Sequence, residues 1–265
     1  MSKLKIIFIM LAVLAVPFSC KTQFDELLDN GDADTKYDAA FEYFNAGKYP
    51  KAAKLFESLA LLTGGTERDD TVQFYWGLSN YRAKDYYTAE TNFEKFLQNF
   101  PSSSFSQQAE YLRVNCLYMS TLRYELDQTP TYKALTALNE YLTNYYGSVH
   151  TDAVKRMIED LEDRLDRKAY ENAKLYYKME DYKAARVALR NVLKDDSENR
   201  YREDVLYYTA MSSYKFAAMS VSSKQKERFL VFSDDYLNFV GEYPESRYRK
   251  ELDNLYNKVR KHLEK

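Results

Sequence analysis

The residues that could perform acid–base or metal chemistry are few and widely separated. The histidines His150 and His262 lie far apart, and neither has a cysteine or carboxylate neighbour at the spacing of metal ligands. Three pairs of adjacent acids could act as acid/base dyads: Asp69–Asp70, Asp195–Asp196 and Asp234–Asp235. The first two pairs lie beside expected helix ends, where carboxylates cap helices and interact favourably with their dipoles. We therefore expect no enzyme, no metal site and no cofactor.

The first twenty residues have the pattern of an export signal. Two lysines precede an apolar stretch, residues 6–18, which is too short to span a bilayer but matches the core of a signal peptide. Ser19 then precedes Cys20, which resembles the lipidation site of a bacterial lipoprotein. The sequence thus predicts a signal peptide over residues 1–19 and a lipid on Cys20. An ordinary secretory signal or a short membrane anchor is the alternative.

Cys116 is the other cysteine of the chain, so we expect no intrachain disulfide after export. It lies at helical spacing with Leu112 and Met119, which favours a buried structural thiol over a nucleophile.

Charge is nearly balanced, with 38 basic and 40 acidic residues and a formal net charge of −2. Such a chain lacks the basic field that nucleic-acid binding requires. Residues 20–34 are acidic, and we expect a solvated tether between the membrane and the folded part. Residues 245–265 are basic, which favours a solvated terminal helix or an end that meets an acidic partner.

The chain has seven glycines and five prolines, which are few for 265 residues and argue against sheet folds that are rich in tight turns. We therefore expect helices to position the residues described above. A repeat is also visible, since AGKYPKAAKLFESLALLTGG aligns with AKDYYTAETNFEKFLQNFPS. The matched positions are Tyr49 with Tyr86, Ala52 with Ala89, Phe56 with Phe93, and Gly64 with Pro101. Three later anchors, Tyr132, Tyr182 and Phe229, are each followed fifteen residues on by a helix breaker, at Gly147, Ser197 and Pro244.

Small residues recur at the expected contacts between paired helices. Ala40, Gly77 and Ala173 lie on the first helix of a pair, and Ala52, Ala89 and Ala185 on the second. Small side chains let antiparallel helices approach closely, while large rings fill the flanking space. Each pair buries too little alone, so the pairs must stack into a right-handed α-solenoid. After one breaker, Ser104–Gln107 has the pattern of a capping box.

This order of small residue, tyrosine, alanine, bulky residue and proline resembles the tetratricopeptide repeat. The resemblance implies an all-α fold of about five helix hairpins. Repeats 1–3 would occupy residues 35–147, and repeats 4–5 with a capping helix residues 148–265. A generic antiparallel helical bundle is the alternative.

In tetratricopeptide repeats the first helix of each unit lines a peptide-binding groove. Carried onto the matching positions, the resemblance implies a groove lined by Tyr37, Phe41, Phe44, Phe74, Leu78, Tyr81 and Arg82. The alternative is that other residues, or the acidic tether itself, cover these rings as part of the core.

The whole mature chain resembles the family of outer-membrane β-barrel assembly lipoproteins (BamD). The grounds are Cys20 after its signal, five helix-pair repeats, and the turns NFPSS, NYYGS and EYPES, which are similar to the recurring YPxS turns of that family. The resemblance implies a lipid-anchored adaptor on the periplasmic face of the outer membrane. Its C-terminal repeats would bind the periplasmic repeat domains of the barrel-forming subunit, and its N-terminal groove would bind unfolded outer-membrane proteins.

Two other classes stay open. One is a different tetratricopeptide scaffold lipoprotein, of cell-envelope synthesis or division. The other is a lipid-anchored glycan-binding protein, for which Trp76 is the one tryptophan that could stack on a sugar.

Overall fold

The structure is a computed structural model that describes residues 22–264. All regular secondary structure in this range is α-helical, so the predicted all-α class is confirmed. The helices are α1 (Gln23–Asn30), α2 (Ala33–Asn45), α3 (Tyr49–Ala60), α4 (Asp69–Arg82), α5 (Tyr86–Asn99), α6 (Ser106–Met119), α7 (Thr129–Asn144), α8 (Thr151–Lys178), α9 (Tyr182–Asp195), α10 (Arg202–Ala218), α11 (Ser222–Glu242) and α12 (Arg249–Leu263). Between residues 22 and 264, none of these helices is both long and apolar enough to cross a membrane.

Within residues 22–264 the chain divides into two compact units, of which unit 1 ends at Ser120 and unit 2 begins at Thr121. This division differs from the expected boundary between residues 147 and 148. The two helices of the expected third repeat, α6 and α7, belong to different units, because α6 packs on α5 whereas α7 packs on α8.

In unit 1 each helix from α2 to α6 packs on the next, as in an α-solenoid. The small residues predicted at the helix contacts lie there: Ala40, Ala52 and Ala89 are fully buried. At Gly77 an added Cβ would lie 2.8 Å from the ring of Phe93, so the helices α4 and α5 meet too closely for any side chain at this position.

The expected acidic tether is in part a packed helix. Thr22 and Asp25 form a capping box at the start of α1, in which each side chain accepts a hydrogen bond from the other residue's backbone N–H. Phe24 is buried, with its ring 5.4 Å from that of Tyr43 and the Lys51 ammonium 4.9 Å from its centroid. The prediction of a solvated linker is wrong for α1, because its apolar side chains share one helical face and pack on unit 1.

Unit 2 contains α7 to α12, and its longest helix is α8 with 28 residues. The helix α8 packs on α7, α9 and α10, while α11 and α12 complete the unit against α10. The predicted terminal helix exists as α12, but Leu252 and Val259 are buried in the core, so only part of its surface is solvated.

Three helix pairs are joined by the same tight turn. The residue before the cap has positive φ, at Gly47 (70°), Lys84 (65°) and Glu180 (62°). In the last two turns an aspartate then caps the second helix, with Asp85 accepting from Thr88 N–H and Asp181 from Ala184 N–H. The second helix starts directly afterwards at the anchor tyrosine of the repeat.

The connections between successive pairs also share one geometry. In each, a side-chain oxygen accepts a hydrogen bond from the backbone N–H two residues later, with N···O distances between 3.0 and 3.3 Å. These oxygens belong to Thr66, Ser103, Ser148, Asn199 and Ser246. The predicted breakers lie in these loops, but in the fourth loop Asn199 rather than Ser197 holds the turn. The expected capping box at Ser104–Gln107 is wrong, because Ser103 makes this bond instead and α6 begins at Ser106.

In four of these connections the residue that donates this N–H packs on a ring of the preceding first helix. Phe105 stacks on Phe74 with centroids 4.5 Å apart, Tyr201 stacks on Tyr170 at 5.2 Å, and Tyr248 stacks on Tyr207 at 3.8 Å. In the first repeat the Arg68 guanidinium lies 4.7 Å from the centre of the Tyr37 ring. These four turns therefore fix one hairpin against the next.

Candidate functional site

The predicted groove residues of unit 1 lie on α2 and α4, the first helices of their pairs. Tyr37, Phe41, Phe44, Leu78 and Tyr81 are partly buried, and Arg82 is exposed. The rings on α2 contact one another and Tyr75 of α4: the centroid of Phe41 lies 4.9 Å from that of Tyr37 and 4.7 Å from that of Tyr75, which in turn lies 5.2 Å from Phe44. Leu78 and Tyr81 pack instead against the cluster around Phe74. We call these predicted side chains the aromatic strip. Each ring of the strip is partly buried in the core and partly exposed at the surface.

Phe74 does not belong to this strip. Its side chain is 4% exposed, and its ring packs on Phe93 and Phe96 as well as on Phe105. The prediction that Phe74 lines a groove is wrong, because the turn at Ser103 brings the Phe105 ring over it. Phe74 is buried by a residue of the next repeat, and the spacing of residues within α4 does not predict that contact.

Tyr81 has a structural role alongside any surface role. Its hydroxyl donates a hydrogen bond to Asn115 Oδ1 at 2.9 Å and thereby links α4 to α6. Burial is the main reason that the pKa of Tyr81 is raised above its usual value, so the hydroxyl stays protonated and neutral. Tyr81 is partly exposed and directly precedes the exposed cation of Arg82.

Several of the paired acids accept hydrogen bonds within the fold. Asp69 accepts hydrogen bonds from Gly65 N–H at 2.9 Å and from the Gln73 amide at 2.7 Å, and Asp70 accepts one from the Ser103 hydroxyl at 2.8 Å. In the pair Asp234–Asp235, both carboxylate oxygens of Asp235 accept hydrogen bonds from the Arg186 guanidinium, at 2.7 and 3.1 Å. These carboxylates hold turns and helix contacts.

The thiol of Cys116 is fully buried, as expected for a structural residue. Burial raises its pKa to about 12, which keeps it protonated and unreactive at neutral pH. Within residues 22–264 there is no cluster of three or more His, Cys, Asp or Glu side chains suited to a metal ion. The predicted lipidation site, Cys20, lies outside the residues that the structure describes.

A second candidate surface, which the sequence analysis missed, is a groove in unit 2. It has a volume of about 770 Å³, with α8 and α9 supplying most of its lining and Tyr132 of α7 contributing one side chain. Five acids line it: Glu162, Asp166, Asp195, Asp196 and Glu198. In the sequence, only the small residues Ala169 and Ala173 on α8 pointed to this groove. They do not suffice to predict it, because the groove also depends on where α7 and α9 pack along α8.

Helix hairpins stacked in this way present broad surfaces to other proteins, and they define a class of helical scaffold proteins. Within that class, the model of the family YfiO, described as an outer membrane lipoprotein, matches residues 29–228, about three quarters of the chain. The chain belongs to this family.

No curated protein matches the sequence. Among solved structures, the TPR2AB domain of yeast Sti1, from its complex with pHSP90, is 13% identical to the chain. The alignment covers 86% of this chain and 98% of that one, with a TM-score of 0.42.

Proposed function

We propose that this protein is a lipid-anchored adaptor of the machinery that assembles β-barrel proteins in the outer membrane. The observation that carries the proposal is the match to an outer membrane lipoprotein family over residues 29–228, in a chain whose Cys20 follows a signal-like segment. The lipid on Cys20 would place the protein at the periplasmic face of that membrane. The activity is binding rather than catalysis.

The anchor in this account is short. The packed helix α1 begins at Gln23, three residues after Cys20. Three residues span about 10 Å at full extension. Unit 1 would therefore stay close to the membrane surface, where the high effective concentration favours capture of proteins that arrive for insertion.

Unit 1 would bind unfolded outer-membrane proteins through the aromatic strip, that is, through Tyr37, Phe41, Phe44, Leu78, Tyr81 and Arg82. A strand destined for a barrel presents apolar side chains at alternate positions, and aromatic rings can pack on them at about 0.5–1.5 kcal/mol per ring pair. Two observations support this binding role: the strip is partly exposed, and it lies on the first helices of two helix pairs. Unit 2 would hold the periplasmic repeat domains of the barrel-forming subunit.

Photo-crosslinking in cell envelopes tests the binding of unfolded outer-membrane proteins, and purification of the chain tests the second partner. A benzoylphenylalanine is placed at Tyr81, in the strip, or at Tyr87, which is 82% exposed on α5 and serves as the control. We expect the Tyr81 site to crosslink to unfolded outer-membrane proteins and the Tyr87 site to do so far less. Purification of the chain should also recover a β-barrel protein with repeated periplasmic domains.

Two results would contradict the proposal. Equal crosslinking at both positions would show that the aromatic strip does not select the bound segment. Recovery of peptidoglycan-synthesis or division enzymes, without any β-barrel protein, would support a scaffold of cell-envelope synthesis or division instead.

A further inference from the structure

The groove in unit 2 lies along the second half of α8. Its lining residues on this helix include Leu165, Ala169, Ala173 and Tyr176, which recur at intervals of three or four residues and so share one face. On α9, Ala188 and Val192 line the other side. The floor is therefore built largely from small apolar side chains.

Two large rings in this groove are left uncovered. Tyr132 of α7 is 59% exposed and Tyr176 of α8 is 44% exposed, although both line the groove. Exposed rings above a floor of small residues are typical of a surface that receives another protein segment.

The groove continues along α9. A neighbouring depression of about 420 Å³ shares Tyr176, Ala188 and Asn191 with it and adds Val187, which is 54% exposed, and Asp181. From Asp181 to Asp195 the helix rises about 21 Å at 1.5 Å per residue. That length corresponds to about four turns of a bound helix.

The charge of the groove is predominantly negative. The five acids of its larger part face one cationic side chain there, Arg200, and the extension along α9 adds Asp181 and Lys183, so acids outnumber cations by six to two. Asp166 accepts a hydrogen bond from the backbone N–H of Arg200 at 3.1 Å, yet burial, and then the nearby Asp196, raise its pKa. A cationic group placed here would offset this repulsion.

We propose that this groove binds an amphipathic, cationic α-helix of a partner protein. Its apolar face would lie on the alanine floor, and its Lys or Arg side chains would lie against the acids near Asp195. A helix is favoured over a strand, because its backbone satisfies its own hydrogen bonds and small residues permit close helix approach. The inference rests on the proposed adaptor function and specifies the chemistry of one segment that unit 2 would receive.

The test uses a fluorescent peptide of about 14 residues, built from Leu and Lys in an amphipathic pattern, a length set by the helical rise. Binding is measured by anisotropy to the full mature chain carrying Cys20→Ser, which removes the need for detergent. We expect saturable binding, with no binding of a peptide in which Glu replaces Lys.

Two groove variants have matched controls elsewhere on the surface. Asp195→Asn with Glu198→Gln should raise the Kd about 3- to 10-fold, whereas Glu57→Gln with Glu67→Gln, which changes the net charge equally, should leave it unchanged. Ala169→Trp should fill the groove and raise the Kd at least about tenfold, while Ala218→Trp, also at an exposed helical alanine, should not. Circular dichroism confirms that each variant is folded.

Equal effects of groove and control variants, or binding that survives all groove changes, would overturn the inference. The outcome is separable from that of the proposed function. If the groove variants lose peptide binding but no barrel protein appears in the envelope crosslinks, the groove proposal stands and only the assembly role is contradicted. Recovery of the barrel-forming subunit with no peptide binding would contradict only the groove.

Discussion

At the residue scale, one polar side chain per connection stabilises the stacking of hairpins within each unit. Ser103 shows the arrangement most fully: its hydroxyl donates to Asp70 on α4 and accepts from the N–H of Phe105, whose ring covers Phe74. Ser246 repeats it in unit 2, with Glu203 as the acceptor and Tyr248 as the donor. The motif NFPSS therefore matters less for its proline than for the serine two positions later.

This role can be tested with adjacent serines. Ser103→Ala removes both hydrogen bonds and should lower the free energy of unfolding by about 1 kcal/mol or somewhat more. Ser104→Ala changes the next residue, which is exposed, and should stay within about 0.5 kcal/mol of the parent. Urea unfolding measures both, and equal destabilisation would show that the turn bond contributes nothing specific.

At the element scale, the sequence pattern correctly located several helix starts. α3, α5 and α9 begin at the anchors Tyr49, Tyr86 and Tyr182, because a tight turn and a ring contact recur there. Local spacing carries this information within one hairpin.

Other elements depend on contacts between hairpins and were missed. The acidic composition of residues 20–34 concealed the apolar face of α1, and the burial of Phe74 depends on Phe105, 31 residues away in the sequence. The groove of unit 2 depends on how α7 and α9 are placed along α8, which no single segment encodes.

Because α4 and α5 are in close contact, we expect a Gly→Ala change to lower stability at one position and to raise it at another. Gly77→Ala would place a Cβ against the fully buried ring of Phe93 and should lower stability, because overpacking costs about 1–3 kcal/mol against a helix-propensity gain of about 1 kcal/mol. Gly241→Ala meets no atom within 4 Å and should raise stability by about 0.5–1 kcal/mol. Thermal unfolding compares the two, and stabilisation by both would contradict the close approach at Gly77.

At the scale of the whole molecule, we propose that each unit uses its own surface for a protein partner. Unit 1 carries the aromatic strip and follows closely after the predicted lipid, which suits capture of arriving chains at the membrane. Unit 2 carries the acidic groove, which suits a stable contact with a cationic segment.

The central claim is that the protein assists β-barrel assembly, and depletion of the protein tests it most directly. The measurement is the fraction of outer-membrane β-barrel proteins that is folded, seen as the heat-modifiable band in gel electrophoresis, as the protein is depleted from growing cells. We expect this fraction to fall and unfolded precursors to accumulate before growth stops. A constant folded fraction, with failure of cell-wall synthesis or division instead, would contradict it.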